Sequence, residues 1–236
     1  MFAALTRAAL GQATFDVRDE PQGLSLLRVA QGANLSTLLV HVAAAAGVTA
    51  MGWATGAEWY GPWFACVLGV TFLRLAIHWF FGRVLEDASD LTPRVQIWSR
   101  MHAAGLLVSG ALWAGLAVAR LPSADAELRQ AILIVESALA AGAIGILAPL
   151  RWTGRVYVSL LLLPASAVLA TKMGLPALGA LGGVFWVVML VGHEGNHRLL
   201  ERSLRLGQAN AGLVARLEAR TLEVELANRS LESRVS

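Results

Sequence analysis

Apolar residues along this chain fall into six runs of roughly 20, the number a helix needs to cross about 30 Å of hydrocarbon. They lie at about Leu35–Thr55, Pro62–Phe81, Met101–Ala119, Gln130–Ala148, Gly154–Thr171 and Leu175–Gly192. Prolines punctuate them: Pro62 and Pro176 stand at starts, Pro149 at an end, and Pro93 and Pro122 in connections, where a missing N–H costs little. Pro164 alone is inside a run and predicts a kink. The expected fold is all-α, a polytopic membrane protein with a six-helix transmembrane bundle over residues 35–192.

After Gly192 the pattern changes. Residues 193–236 are charged, free of proline and leucine-spaced, so the last span is expected to continue into a cytoplasmic coiled-coil signalling helix. Alternating steps of three and four trace a seam through Leu206, Asn210, Leu213, Leu217, Arg220, Val224, Ala227 and Leu231. The seam is imperfect, because Arg220 occupies a core position and Leu222 and Leu226 fall outside it. A register shift near Arg220 brings Asn228 and Val235 inward instead, so two packings of similar energy are conceivable. An asparagine in the seam costs stability and specifies partner and register. The blander alternative is a solvated helix trailing from the bundle. Upstream, Gly179 and Gly183 form a G-x-x-x-G pair on the same helix, which would let a dimer seam begin in the membrane. Ala111 with Gly115, and Ala138 with Gly142 and Gly145, repeat the small-residue spacing, although alanine and glycine are simply abundant in this chain.

Residues 1–34 carry Arg7, Arg18, Arg28, Asp16, Asp19 and Glu20 and hold no apolar run suited to a cleaved signal peptide. They are expected to be a cytoplasmic segment with short amphipathic helices on the membrane surface at Met1–Leu10 and Leu24–Ala33. Arginine placement orients the bundle. Arg83, Arg94, Arg100, Arg151 and Arg155 fall in or beside two connections on one side, whereas the opposite connections hold only Arg120, Arg129 and Lys172. Both termini are therefore expected inside. Trp53, Trp59 and Trp63 would belt the outer surface, Trp79, Trp98 and Trp152 the inner one, and Trp113 and Trp186 fall mid-span.

Composition agrees with a lipid-embedded chain: 236 residues, 56% hydrophobic and 15% charged, with mean hydropathy +0.60. The net charge of +3 would suggest nucleic acid in a soluble protein, but these arginines serve topology, which argues against such a partner. The single cysteine, Cys66, excludes an intrachain disulfide and a cysteine metal cluster.

Candidate chemistry sits at a few polar positions. Arg74 and His78 are four apart and share a helix face. An arginine in hydrocarbon costs about 2.5 to 3.5 kcal/mol on insertion scales, so Arg74 should face the bundle interior, with Glu136 as its expected partner. The pair reads either as a structural ion pair or as the floor of a ligand cavity or proton-sensitive switch, with Trp113 and His41 nearby. His41 and His78 also raise a b-type haem, against the plainer reading of hydrogen-bonded histidines. His193-Glu194-Gly195-Asn196-His197 matches the H-E-x-x-H string of zinc proteases, but Arg198 follows at once and no third acidic ligand lies in an apolar segment. A polar cuff where the helix leaves the bilayer is the expectation, with no metal, no cofactor and no catalytic residue in this chain.

SGALWAG at Ser109–Gly115, LAAGAIGILAP at Leu139–Pro149, YVSLLLLPA at Tyr157–Ala165 and the charged LEARTLEVELANRSLE helix together resemble the N-terminal six-helix membrane input module of bacterial sensor histidine kinases, hybrid kinases included, and of some diguanylate cyclases. The resemblance implies a homodimeric receptor that passes a stimulus from the bundle, through the coiled coil, to a C-terminal catalytic domain. The stimulus would be a small apolar ligand entering from the outer leaflet, or a property of the bilayer. No phosphoacceptor histidine motif, ATP-binding glycine box, G-G-D-E-F or E-A-L occurs before Ser236, so the chain is expected to be a fragment without enzymatic activity of its own. A small membrane transporter or channel is the competing class.

Overall fold

The computed structural model describes residues 20–87 and 93–235, and they are helical with no strand among them. In chain order the helices are α1 (Glu20–Gly32), α2 (Asn34–Ala54), α3 (Tyr60–Asp87), α4 (Pro93–Arg120), α5 (Ala126–Ile146), α6 (Arg151–Thr171) and α7 (Pro176–Val235). Six helices are long and apolar enough to cross a membrane, which makes this a membrane protein whose outer faces suit contact with lipid. Met1–Leu10, expected as an amphipathic helix, lies outside the described residues.

Local chemistry explains the helix ends. Pro93, Arg151 and Pro176 open α4, α6 and α7, and Pro62 sits in the first turn of α3, where a proline forfeits no intrahelical bond. Asp125 caps α5, its Oδ1 accepting from Leu128 N–H at 2.8 Å. Gly56 and Gly174, with φ of 76° and 66°, turn the chain after α2 and α6, a conformation that costs other residues more. α6 runs through Pro164 as one helix.

The chain divides into two units, Met1–His197 and Arg198–Ser236. In the first unit short connections make α2 and α3, α3 and α4, and α5 and α6 neighbours. α4 and α6 pack closely on each other and are the most buried of the spans, with α3 against α4, α5 against α6 and α2 against both α3 and α5. The core is built on Trp113, Leu116, Ile132, Val158 and Leu161, all fully buried. α1 differs from expectation. Only Ala33 separates it from α2, in near-helical geometry, and Leu27 packs with Phe81 of α3 and Val95 of α4. Burying those leucines against α3 makes residues 24–32 a bundle element.

The second unit is helical through Val235. Leu206, Leu213, Leu217 and Val224 are exposed, and so are Leu222 and Leu226 beside them, so one chain leaves these seam positions uncovered; the side chains of Ala227, Asn228 and Val235 lie outside the described residues. Asn210 is exposed as well, Arg220 pairs with Glu223 at 3.1 Å, and the side chain of Leu231 lies outside the described residues.

Candidate functional site

Two polar constellations break the apolar pattern of the first unit. One is buried within the bundle, and the other ties α7 to the α5–α6 turn.

The buried set begins on α2, where Asn34, Thr37, His41, Ala45, Val48 and Gly52 recur at three- and four-residue steps and form the buried stripe. Three of those positions are polar. Arg74 of α3 is 1% exposed; its Nη2 donates to Asn34 Oδ1 at 3.2 Å and its Nη1 to Ser109 Oγ of α4 at 3.1 Å. Its stem crosses α4 at Gly105, where any Cβ would come within 2.7 Å of Arg74 Cγ. Gly110 does the same for Tyr157 of α6, whose ring carbon would lie 3.0 Å from an added Cβ. Glycine thus appears on α4 where neighbouring polar side chains pass.

Tyr157 donates its hydroxyl to His41 Nε2 at 2.5 Å, and His41 Nδ1–H donates to Thr37 O at 2.8 Å. The carbonyl only accepts, so Nδ1 carries the proton and Nε2 is the acceptor of a neutral ring. Both nitrogens are engaged, which removes His41 as a haem ligand in this arrangement.

Glu136 is also 1% exposed, because it lies on the buried stripe Leu128, Ile132, Glu136, Leu139, Ala140 and Ala143 of α5. It does not pair with Arg74. Neither carboxyl oxygen has a hydrogen-bond partner, and α3 and α5 are not among the closely packed helix pairs. Shared depth in two spans does not make contact when other helices stand between them. Trp113 is fully buried with its Nε1 unpartnered, and Trp63 packs edge-on against it at 5.1 Å. Trp63 donates Nε1–H to Leu112 O at 3.0 Å and so belongs to the core, correcting its expected place in the outer belt. Trp53, Trp59, Trp79 and Trp152 are exposed.

His78 lies one turn from Arg74 on α3, and His102 of α4 is within electrostatic range of both. The sequence reading passed over Asn34, His102, Ser109 and Tyr157. The available signal was polar residues at helical spacing inside apolar runs, with glycine on the helix opposite.

The second constellation is the His193-to-His197 string. His193 Nε2–H donates to Arg151 O at 3.1 Å, Asn196 Nδ2–H to Ile144 O at 3.4 Å and His197 Nδ1–H to Ala148 O at 2.8 Å. A helix leaves its last four carbonyls without intrahelical partners, and here α7 supplies donors to the end of α5, to the turn beyond and to the first residue of α6. Glu194 accepts from Arg151 Nε at 3.0 Å and Nη2 at 2.7 Å, and from Arg155 Nη2 at 2.5 Å. Both histidines of the string therefore face backbone carbonyls, and its glutamate is held by two arginines. Close packing supports the clamp: a Cβ on Gly154 would overlap the His193 ring. Among the described residues no group of three or more His, Cys, Asp or Glu is disposed to hold a metal ion.

Gly179 is spent within the chain. A Cβ there would lie 2.6 Å from Ala170 Cβ and 2.7 Å from Ser166 O of α6, whereas one on Gly183 would meet nothing within 4 Å. The short α6–α7 connection makes those helices partners, which corrects the expectation that Gly179 faces a second copy. No protein-family model, curated protein or solved structure matches this chain.

Proposed function

We propose that this chain is the membrane input module of a bacterial signal-transduction receptor, most simply a sensor histidine kinase, residing in the cytoplasmic membrane with both termini inside. The observation that carries the reading is the clamp at His193–His197. It binds α7 to the α5–α6 turn and the start of α6 through six side chains, and the same helix continues for more than 35 residues as a charged, leucine-spaced segment. A rearrangement of the bundle that moves α6 is thereby delivered to α7. In a homodimer, the Leu206-to-Leu231 seam would convert that movement into a change of coiled-coil register, read by an effector domain. A diguanylate cyclase would use the same input. Candidate stimuli are a small apolar ligand or a change in bilayer thickness, acting on the layer that contains Arg74, His41, Trp113 and Glu136.

The test is a disulfide-crosslinking scan with single cysteines from Leu206 to Leu231, in the Cys66→Ala background, in native membranes. Crosslinks with seven-residue periodicity, shifted in phase by Glu194→Gln, support the reading. A chain that stays monomeric in the bilayer refutes it. One observation favours a transporter or channel: Glu136, deep in a span, has no hydrogen-bond partner, as a group serving a moving ion or proton would. Solute flux through purified protein in vesicles would establish that reading instead.

A further inference from the structure

The half of the bundle nearest the α3–α4 connection gathers buried polar atoms that no protein group satisfies. They are Gln31 Oε1, Asn34 Nδ2, Arg74 Nε, His78 Nδ1, Ser99 Oγ and His102 Nδ1. Contacts already described bring them together. Arg74 spans from Asn34 on α2 to Ser109 on α4, and its stem lies against Gly105. His102 and Ser99 follow Gly105 along α4 at successive three-residue steps, so each stands about one turn, or roughly 5 Å, further toward the helix start. His78 is one turn along α3 in the same direction. Gln31 holds that turn, its Nε2–H donating to His78 O at 2.5 Å.

Gln31 Oε1 aside, what unites the set is sign. Arg74 is a fixed positive charge, and Asn34, Ser99 and the two imidazoles can each offer an N–H or O–H donor. No carboxylate forms an ion pair with Arg74 among the described residues, and Glu136, the acid expected to do so, makes no hydrogen bond at all. Water can satisfy loose donors, but it does not neutralise a guanidinium buried in a bilayer span. An anion does both. A metal ion is disfavoured by the same charge.

We infer that Arg74, Asn34, Ser99, His78 and His102 form a binding site for a small monovalent anion, a halide or a short carboxylate, that enters from the end of the bundle where α4 begins. Close packing of the Arg74 stem on Gly105, where one methyl group would collide with it, holds the guanidinium in place. Ser99 and His102 are buried on α4, and His78 on α3 is half-buried. The site stands whether or not the bundle signals.

The purified chain in phosphatidylcholine nanodiscs tests this by thermal unfolding, followed by tryptophan fluorescence, in chloride, acetate or gluconate at equal ionic strength. A ligand that binds only the folded state raises the midpoint with its concentration, so a saturable rise in chloride or acetate over gluconate is expected. ³⁵Cl line broadening by the protein provides a direct readout for the halide. Arg74→Gln should abolish both effects, while Arg151→Gln, at the clamp, should leave them. Should Arg74→Gln fail to fold, His102→Gln and Ser99→Ala serve, each raising the half-saturating concentration about tenfold, as expected for one hydrogen bond to a charged group. Equal midpoints in all three salts for the unaltered protein overturn the proposal. So does an anion response that survives in Arg74→Gln or is unmoved by both substitutions on α4.

Discussion

Gly179 and Gly183 stand one helical turn apart on α7, and alanine at each separates two uses of a small residue. At Gly179 the new methyl would lie 2.6 Å from Ala170 Cβ and 2.7 Å from the Ser166 carbonyl oxygen. Both atoms are fixed to the α6 backbone and cannot swing away. Contact distances between such atoms are about 3.5 to 4.0 Å, so α6 and α7 must separate locally by roughly 1 Å. Overpacking of this kind costs about 1 to 3 kcal/mol, set against a gain of about 0.8 to 1.0 kcal/mol from replacing glycine by alanine in a helix. At Gly183 the methyl meets nothing within 4 Å, and the gain stands alone. Gly183→Ala should therefore exceed Gly179→Ala in stability by about 1 to 3 kcal/mol. Denaturant titration in micelles, read by tryptophan fluorescence on the dilute monomer, measures the difference. Equal stabilities, or Gly179→Ala as the more stable variant, would refute the packing of α7 on α6 described here.

Other consequences follow from the polar contacts. Tyr157→Phe keeps the ring but leaves His41 Nε2 buried without its donor, and should lower stability by about 1 to 3 kcal/mol in the same titration. His41→Leu in that background should recover part of the loss, because both polar partners are then gone. Asn34→Ala should cost a similar amount, about 1 to 3 kcal/mol, by stripping Arg74 of one of its two acceptors. Glu194→Gln should weaken the clamp and also lower its salt sensitivity. In a double-mutant cycle with Arg155→Gln the coupling should exceed about 0.5 kcal/mol, and additive effects would show that the contact carries no energy. Trp63→Phe loses the bond to Leu112 O and should destabilise more than Trp53→Phe on the exposed face, a ranking the same unfolding assay checks.

Much of the architecture is legible in the pattern of apolar residues, because a bilayer imposes one length and one backbone solution on every crossing. Pro62 and Pro176 near helix starts, and the six apolar runs themselves, required no knowledge of neighbours, whereas Pro93, expected in a connection, opens α4. Burial of Arg74 and Glu136 was legible too, since an ionised group in hydrocarbon must turn inward. Their partners were not. Asn34, Ser109, Tyr157 and His102 are ordinary polar residues until helix order decides who faces whom, and the α5 stripe that buries Glu136 does not lead to α3. Likewise the His193-to-His197 string has one spacing that would serve a metal or a set of backbone carbonyls. Only the approach of the α5–α6 turn and the start of α6, which present backbone carbonyls and two arginines to that face of α7, decided for the carbonyls. Helix periodicity determines which residues lie inside. Contact between helices distant in sequence determines what they meet there.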